Sequence, residues 1–165
     1  MPHEAGQELP TYTIVTAKIT LRRTKPPVWR RVTMVDTVTL GDLHAIIQCV
    51  LGWQDSHLHA FDVKGKVYSA AGTVDDAEHE EQLDLKTLRK RRVKRLTYIY
   101  DFGDRWQHQI DIERVEDEIP AHAEPRCIDG KGNPRPEDGG GTPPLSAKFD
   151  MNEINRRLYR MFNRS

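Results

Sequence analysis

Long apolar runs are missing from this chain of 165 residues. No stretch approaches the roughly 18 residues that a membrane-spanning helix needs. The first ten residues are polar and mixed in charge, without the basic start and apolar stretch of a secretory leader. Cysteine is scarce: Cys49 and Cys127 are the two present, too few for a disulfide framework or a four-cysteine zinc site. Charge of one sign is also lacking, because 25 Lys and Arg face 25 Asp and Glu. A chain coated with positive charge for nucleic acid is therefore excluded, although a local patch is not. These absences fit a reducing cytoplasm and no membrane partner.

What is present is enough for a core. Length predicts a single domain over residues 11–165 behind a flexible tail at 1–10. Between residues 12 and 23, Val15, Ala17, Ile19 and Leu21 alternate with polar residues, which predicts a half-buried strand. Lys25-Pro26-Pro27 interrupts it, and residues 28–35 read as a second, antiparallel strand. Thr39 and Asp42 form a capping-box start for a helix carrying Leu40, Leu43, Ile46, Ile47, Val50 and Leu51 on one stripe. Gly52 is placed to end that helix.

Residues 58–63 and 66–69 read as a hairpin around Gly65, and the acidic stretch 73–82 as an exposed excursion. Leu83, Leu85 and Leu88 suggest a short helical turn. Residues 97–102 and 106–115 form the clearest hairpin, turned by Phe102-Gly103-Asp104. Residues 119–144 are rich in Pro and Gly and read as a long loop. Asp150 and Glu153 then start a terminal helix over 150–163. The sum is an α+β fold: a mostly antiparallel, mixed sheet with one main helix packed on it and a C-terminal helix. The opening strand–strand–helix–strand order is β-grasp-like.

Four constellations offer chemistry. His57 and His59 stand two apart on a strand, about 6.5 Å at the backbone, with His108 as a third candidate ligand for a divalent transition metal. Asp101 or Asp104 would complete that shell. The structural alternative is that the histidines bond backbone or carboxylates and the aspartates shape the turn. The second constellation is Cys127, Glu137 and Asp138 beside Gly139-Gly140-Gly141. A thiol near acids is not activated, so a structural loop is the favoured reading there. The third is the basic run Arg89, Lys90, Arg91, Arg92, Lys94 and Arg95, a candidate phosphate-binding patch that is more simply a solvated face. The fourth is the aromatic set Trp29, Trp53, Tyr98, Tyr100 and Trp106, which at strand spacing reads as core or interface anchors. No phosphate-cradling GxxxxGK[ST] loop and no GxSxG elbow occurs.

The strings PPVWRR at 26–31, LGDLHAIIQCVLGWQDSHLHAF at 40–61, YIYDFGDRWQHQI at 98–110 and PRCIDGKGNPRPEDGGG at 125–141 occur in that order. Together they resemble the plasmid pRiA4b ORF-three-like family, over about residues 12–142. FDMNEINRRL at 149–158 is similar to the family's terminal helix. Many members carry a further helical segment after the PED-GG string, where this chain has residues 142–148. The resemblance implies association with plasmids or mobile elements, where some members carry resolvase labels, but no reaction. No resolvase pattern stands in this sequence.

The leading expectation is thus a non-enzymatic binding or accessory module whose partner is a protein or small ligand. Its binding surface would draw on Trp53, His57, His59, Asp101, Asp104, Trp106, Cys127, Glu137 and Asp138. A metal-dependent hydrolase or nuclease built on His57, His59 and His108 is the alternative. A DNA-associated protein using the basic run is the second alternative.

Overall fold

The computed structural model describes residues 11–118, 123–135 and 149–163. Eight strands form one sheet in the order β5-β4-β3-β6-β7-β1-β2-β8. The strands are β1 (Tyr12–Leu21), β2 (Val28–Val35), β3 (His59–Val63), β4 (Lys66–Ser69), β5 (Glu78–His79), β6 (Arg95–Tyr100), β7 (Trp106–Glu118) and β8 (Arg126–Lys131). All pairings are antiparallel except β4 with β5. Helices α1 (Leu40–Leu51), α2 (Leu85–Lys90) and α3 (Met151–Phe162) complete the α+β plan. The chain follows the expected strand–strand–helix–strand opening. Among the described residues, no helix is long and apolar enough to cross a membrane.

Alternation explains which face is covered. Val15, Ala17, Ile19 and Leu21 of β1 are buried with Val28, Val32 and Met34 of β2. Their neighbours Thr16, Lys18, Thr20, Trp29 and Arg31 take the opposite face, as a period of two requires. Helix α1 supplies Leu40, Leu43, Ile46, Ile47 and Val50 to the same core. Its start carries the expected capping box between Thr39 and Asp42, and Gly52 ends it in the left-handed conformation. Helix α3 adds Ile154 and Leu158 to the core and packs on β8 and α1.

Two expectations need correction. The stretch read as a loop over 119–144 contains β8, which pairs with β2 and closes that side of the sheet. Its glycines and polar residues hid it, and a bulge opposite Arg31 and Val32 breaks its alternation. Gly130 is required there: a Cβ would lie 2.8 Å from Phe149 Cζ and 2.9 Å from the Trp29 carbonyl oxygen. The acidic excursion is not wholly exposed either. Residues Asp75 and Asp76 are, but the chain then adds β5 and turns Glu80 inward, leaving it 6% exposed.

Arg30 is the unexpected member of the inner face, at 1% exposure. Its Nε donates to the Val50 carbonyl oxygen at 2.7 Å, and its Nη2 to Asn133 Oδ1 at 3.0 Å. Nη1 donates to the carbonyl oxygens of Trp29 and Lys131. The Phe149 ring lies 4.4 Å from the guanidinium. Burial pushes its pKa down to about 10, so it stays charged at neutral pH. With no basic residue in the last turn of α1, this sheet residue faces the negative end of the helix dipole.

Candidate functional site

Strand register gathers the aromatic and histidine residues. His59 pairs with Tyr100, Phe61 with Tyr98, Tyr98 with His108, and Tyr100 with Trp106. All six lie on the covered face of three adjacent strands. Trp53, just past the end of α1, packs on Tyr100 and Trp106 with ring centroids 5.5 Å apart in each case.

The structure does not bring His57, His59 and His108 together as a ligand set. His108 is fully buried; its Nδ1 meets the Tyr98 carbonyl oxygen at 3.2 Å, and Trp53 Nε1 donates to its Nε2 at 3.4 Å. That pattern fixes the tautomer with a proton on Nδ1. Both ring nitrogens are thereby occupied, and burial pushes the pKa down to about 4. His57 precedes β3, with Nε2 3.6 Å from Asp101 Oδ2. Asp101 Oδ1 accepts from the backbone N–H groups of Gly103 and Asp104, so this carboxylate shapes the turn. Asp104 itself is exposed.

His59 instead joins Glu80 and His44, neither of them among the sequence-based candidates. Its Nε2 lies 2.7 Å from Glu80 Oε2. Its ring stacks on His44 of α1, with centroids 3.5 Å apart and planes 7° from parallel. His44 Nε2 lies 2.9 Å from Asp55 Oδ1, and its Nδ1 2.7 Å from the Tyr98 hydroxyl. Gln48 donates to the same hydroxyl at 2.9 Å, and its Oε1 accepts from the Asp55 backbone N–H at 2.7 Å. The clue was available: His44 and Gln48 fall at i and i+4, inside the apolar stripe of α1.

Trp106 faces a different feature. A cleft of about 490 Å³ lies between the β1–β2 turn, the start of β7 and the segment after β8. Arg23, Lys25, Pro26, Trp106, Asn133 and Arg135 are among its lining residues, and among the described residues no carboxylate, histidine or cysteine lines it. Thr24 also lines it, but its hydroxyl donates to the Leu21 carbonyl and accepts from the Val28 N–H. Among the described residues, Trp106 Nε1 is buried without a hydrogen-bond acceptor. An unmet buried donor costs roughly 1–3 kcal/mol. Residues from the strings at 26–31, 98–110 and 125–141 line this cleft, and Trp53 of the string at 40–61 stands behind Trp106.

The other candidates are placed as follows. Cys127 is a buried residue of β8 at 1% exposure, and burial pushes its thiol up to about 11, so it is not an activated nucleophile. Glu137 and Asp138 lie outside the described residues. In the basic run, Arg89 pairs with Asp36 at 3.1 Å and Arg95 with Asp111 at 2.7 Å, while Lys90, Arg91, Arg92 and Lys94 are exposed. A second cleft of about 470 Å³ holds Arg126, Arg156 and Arg160, but Glu124 also lines it and Arg156 is bonded to Glu153.

Residues 13–154 match the family model of the plasmid pRiA4b ORF-3-like proteins. The chain belongs to this family. Among its relatives is the uncharacterized protein y4hQ of Sinorhizobium fredii (strain NBRC 101917 / NGR234), 33% identical over 134 residues. That alignment covers 78% of this chain and 67% of the relative. A crystal structure of a protein of unknown function, MM3350 from Methanosarcina mazei Go1, superposes with a TM-score of 0.72 at 31% identity. The match spans 79% of this chain and 76% of that one. The family likeness thus reaches from β1 into α3 and includes β8, the strand that sequence alone concealed.

Proposed function

We propose that the protein is a non-enzymatic binding module that takes a phosphate-bearing ligand of about mononucleotide size in the Trp106 cleft. The observation that carries this reading is the lining of the cleft. Arg23, Lys25 and Arg135 contribute positive charge, and no carboxylate among the described residues lines the cleft. Phosphate recognition draws on such groups through charge-assisted hydrogen bonds. The volume falls in the range of small-molecule sites. Trp106 forms part of the wall, and its buried Nε1–H has no acceptor among the described residues.

Among the described lining residues there is no carboxylate, imidazole or thiol, and the Thr24 hydroxyl is held by Leu21 and Val28, which favours recognition over chemistry. The family's name refers to a plasmid, which supports an association with plasmids. An accessory role for plasmids or mobile elements, in the cytoplasm, is part of the same proposal. Buried, free Cys49 and Cys127 fit that compartment.

The test is calorimetric titration of the full chain with adenosine monophosphate and with inorganic phosphate at low salt. Lys25→Ala and Arg135→Ala, both exposed positions, should each weaken binding about tenfold, the scale of one lost charge-assisted contact. Failure of both probes to bind, or equal binding by both variants, would count against the reading.

A further inference from the structure

His44, Asp55, His59 and Glu80 form a second cluster, and none of the four lines the Trp106 cleft. Its charge balance is incomplete. Each imidazole faces one carboxylate through Nε2, at 2.9 Å for His44–Asp55 and 2.7 Å for His59–Glu80. Among the described residues, no Lys or Arg pairs with either acid. Glu80, His44 and His59 are each less than 9% exposed, so solvent does little to offset the charge. Protonating both imidazoles would balance it, but the two rings are stacked at 3.5 Å, where two positive charges repel. Leaving them neutral leaves Glu80 a buried carboxylate without a counter-charge. A doubly charged cation resolves both difficulties.

The donor types fit such an ion. Two imidazole nitrogens and two carboxylate oxygens make a borderline-soft set of the kind that holds zinc tetrahedrally. Donor atoms of His44, Asp55 and His59 lie within 4.8 Å of one another. In a tetrahedral shell with bonds near 2 Å, ligand atoms stand ~3.3 Å apart. Asp55, whose side chain is 59% exposed, already lies 2.9 Å from His44 Nε2, so binding requires the two stacked rings to turn until both Nε2 lone pairs meet the ion. The supporting contacts are in place as well. The Tyr98 oxygen can accept from His44 Nδ1 while Gln48 donates to it, which leaves the Nε2 lone pair for the ion. Gln48 also holds the Asp55 backbone through its Oε1.

We propose that His44, His59, Asp55 and Glu80 bind one divalent transition-metal ion, zinc by their ligand types, bridging α1, β3 and the turn after β5. The site is separate from the phosphate cleft and goes beyond that reading. It also replaces His57 and His108 of the sequence-based set with His44 and two acids.

The experiment uses metal-free full-length protein made without a histidine tag. Cobalt(II) is added while the visible d–d bands are followed, and zinc is then titrated by calorimetry. One equivalent should bind, with the intense bands of a four-coordinate site. Asp55→Asn, at an exposed side chain, and His59→Ala should each weaken zinc binding at least about tenfold. Retained circular dichroism in Asp55→Asn keeps the result interpretable if His59→Ala unfolds. His57→Ala should leave affinity unchanged. The proposal is overturned by no cobalt bands and no zinc heat, by wild-type affinity in Asp55→Asn, or by loss of binding in His57→Ala. Lys25→Ala should leave zinc affinity unchanged, which separates this site from the cleft.

Discussion

Arg30, in the middle of a strand, donates its Nε to the carbonyl oxygen of Val50 at 2.7 Å and so supplies a cation to the end of a helix that has none in its last turn. The contact ties β2 to α1, and Nη2 extends it to Asn133 beside the cleft. Arg30→Ala should therefore cost ~3 kcal/mol or more, since it strands buried carbonyls and opens a cavity. Arg30→Lys should recover little, because one ammonium cannot reproduce the fork. Urea unfolding followed by tryptophan fluorescence measures both.

His108 makes stability pH-dependent. Its pKa is about 4 in the folded protein against an ordinary value of 6.5, with burial as the largest cause. Between those values the unfolded chain holds more protons than the folded one. Stability from this residue is therefore full above pH 6.5 and falls as pH drops toward 4. The loss should reach ~3 kcal/mol. His108→Phe should flatten that part of the stability–pH curve relative to the wild type. An unchanged slope would show that other groups set it.

Asn155 of α3 acts toward β8 as a neighbouring strand would. Its Oδ1 accepts from the Cys127 N–H at 2.7 Å, and its Nδ2 donates to the Cys127 carbonyl at 2.9 Å. Asn155→Ala should cost about 1–2 kcal/mol for the two bonds. Asn155→Asp should cost more, because it sets a carboxylate oxygen against a carbonyl. Protection of the Cys127 amide in hydrogen exchange should drop in both variants.

The sequence was legible where one physical rule acted alone. Alternation in β1 and the Thr39–Asp42 box of α1 predict what is found, since a half-buried strand and a capped amphipathic helix leave direct patterns. Strand β8 left none. It is an edge strand with a bulge, and Gly130 is there to clear Phe149 and Trp29. The histidines show the same divide. Identity and spacing suggested His57, His59 and His108 as one set, but these ring nitrogens meet different partners: Asp101, Glu80, and Trp53 with Tyr98. Glu80 and Asp55 reach the cluster through backbone turns that residue types do not reveal. The cleft was half legible: Trp106 was a candidate, whereas Arg23 and Lys25 join it only because the β1–β2 turn lies beside the start of β7.

The indole resonance of Trp106 tests the central claim most directly. Three tryptophans yield three indole signals in a ¹⁵N correlation spectrum, and Trp106→Phe identifies the one of interest. Adenosine monophosphate added to the full chain should shift the Trp106 signal progressively and to saturation. Trp29, on the opposite face of the sheet, should not respond. A Trp106 signal that stays fixed at saturating probe would contradict the assignment of the cleft as the binding site.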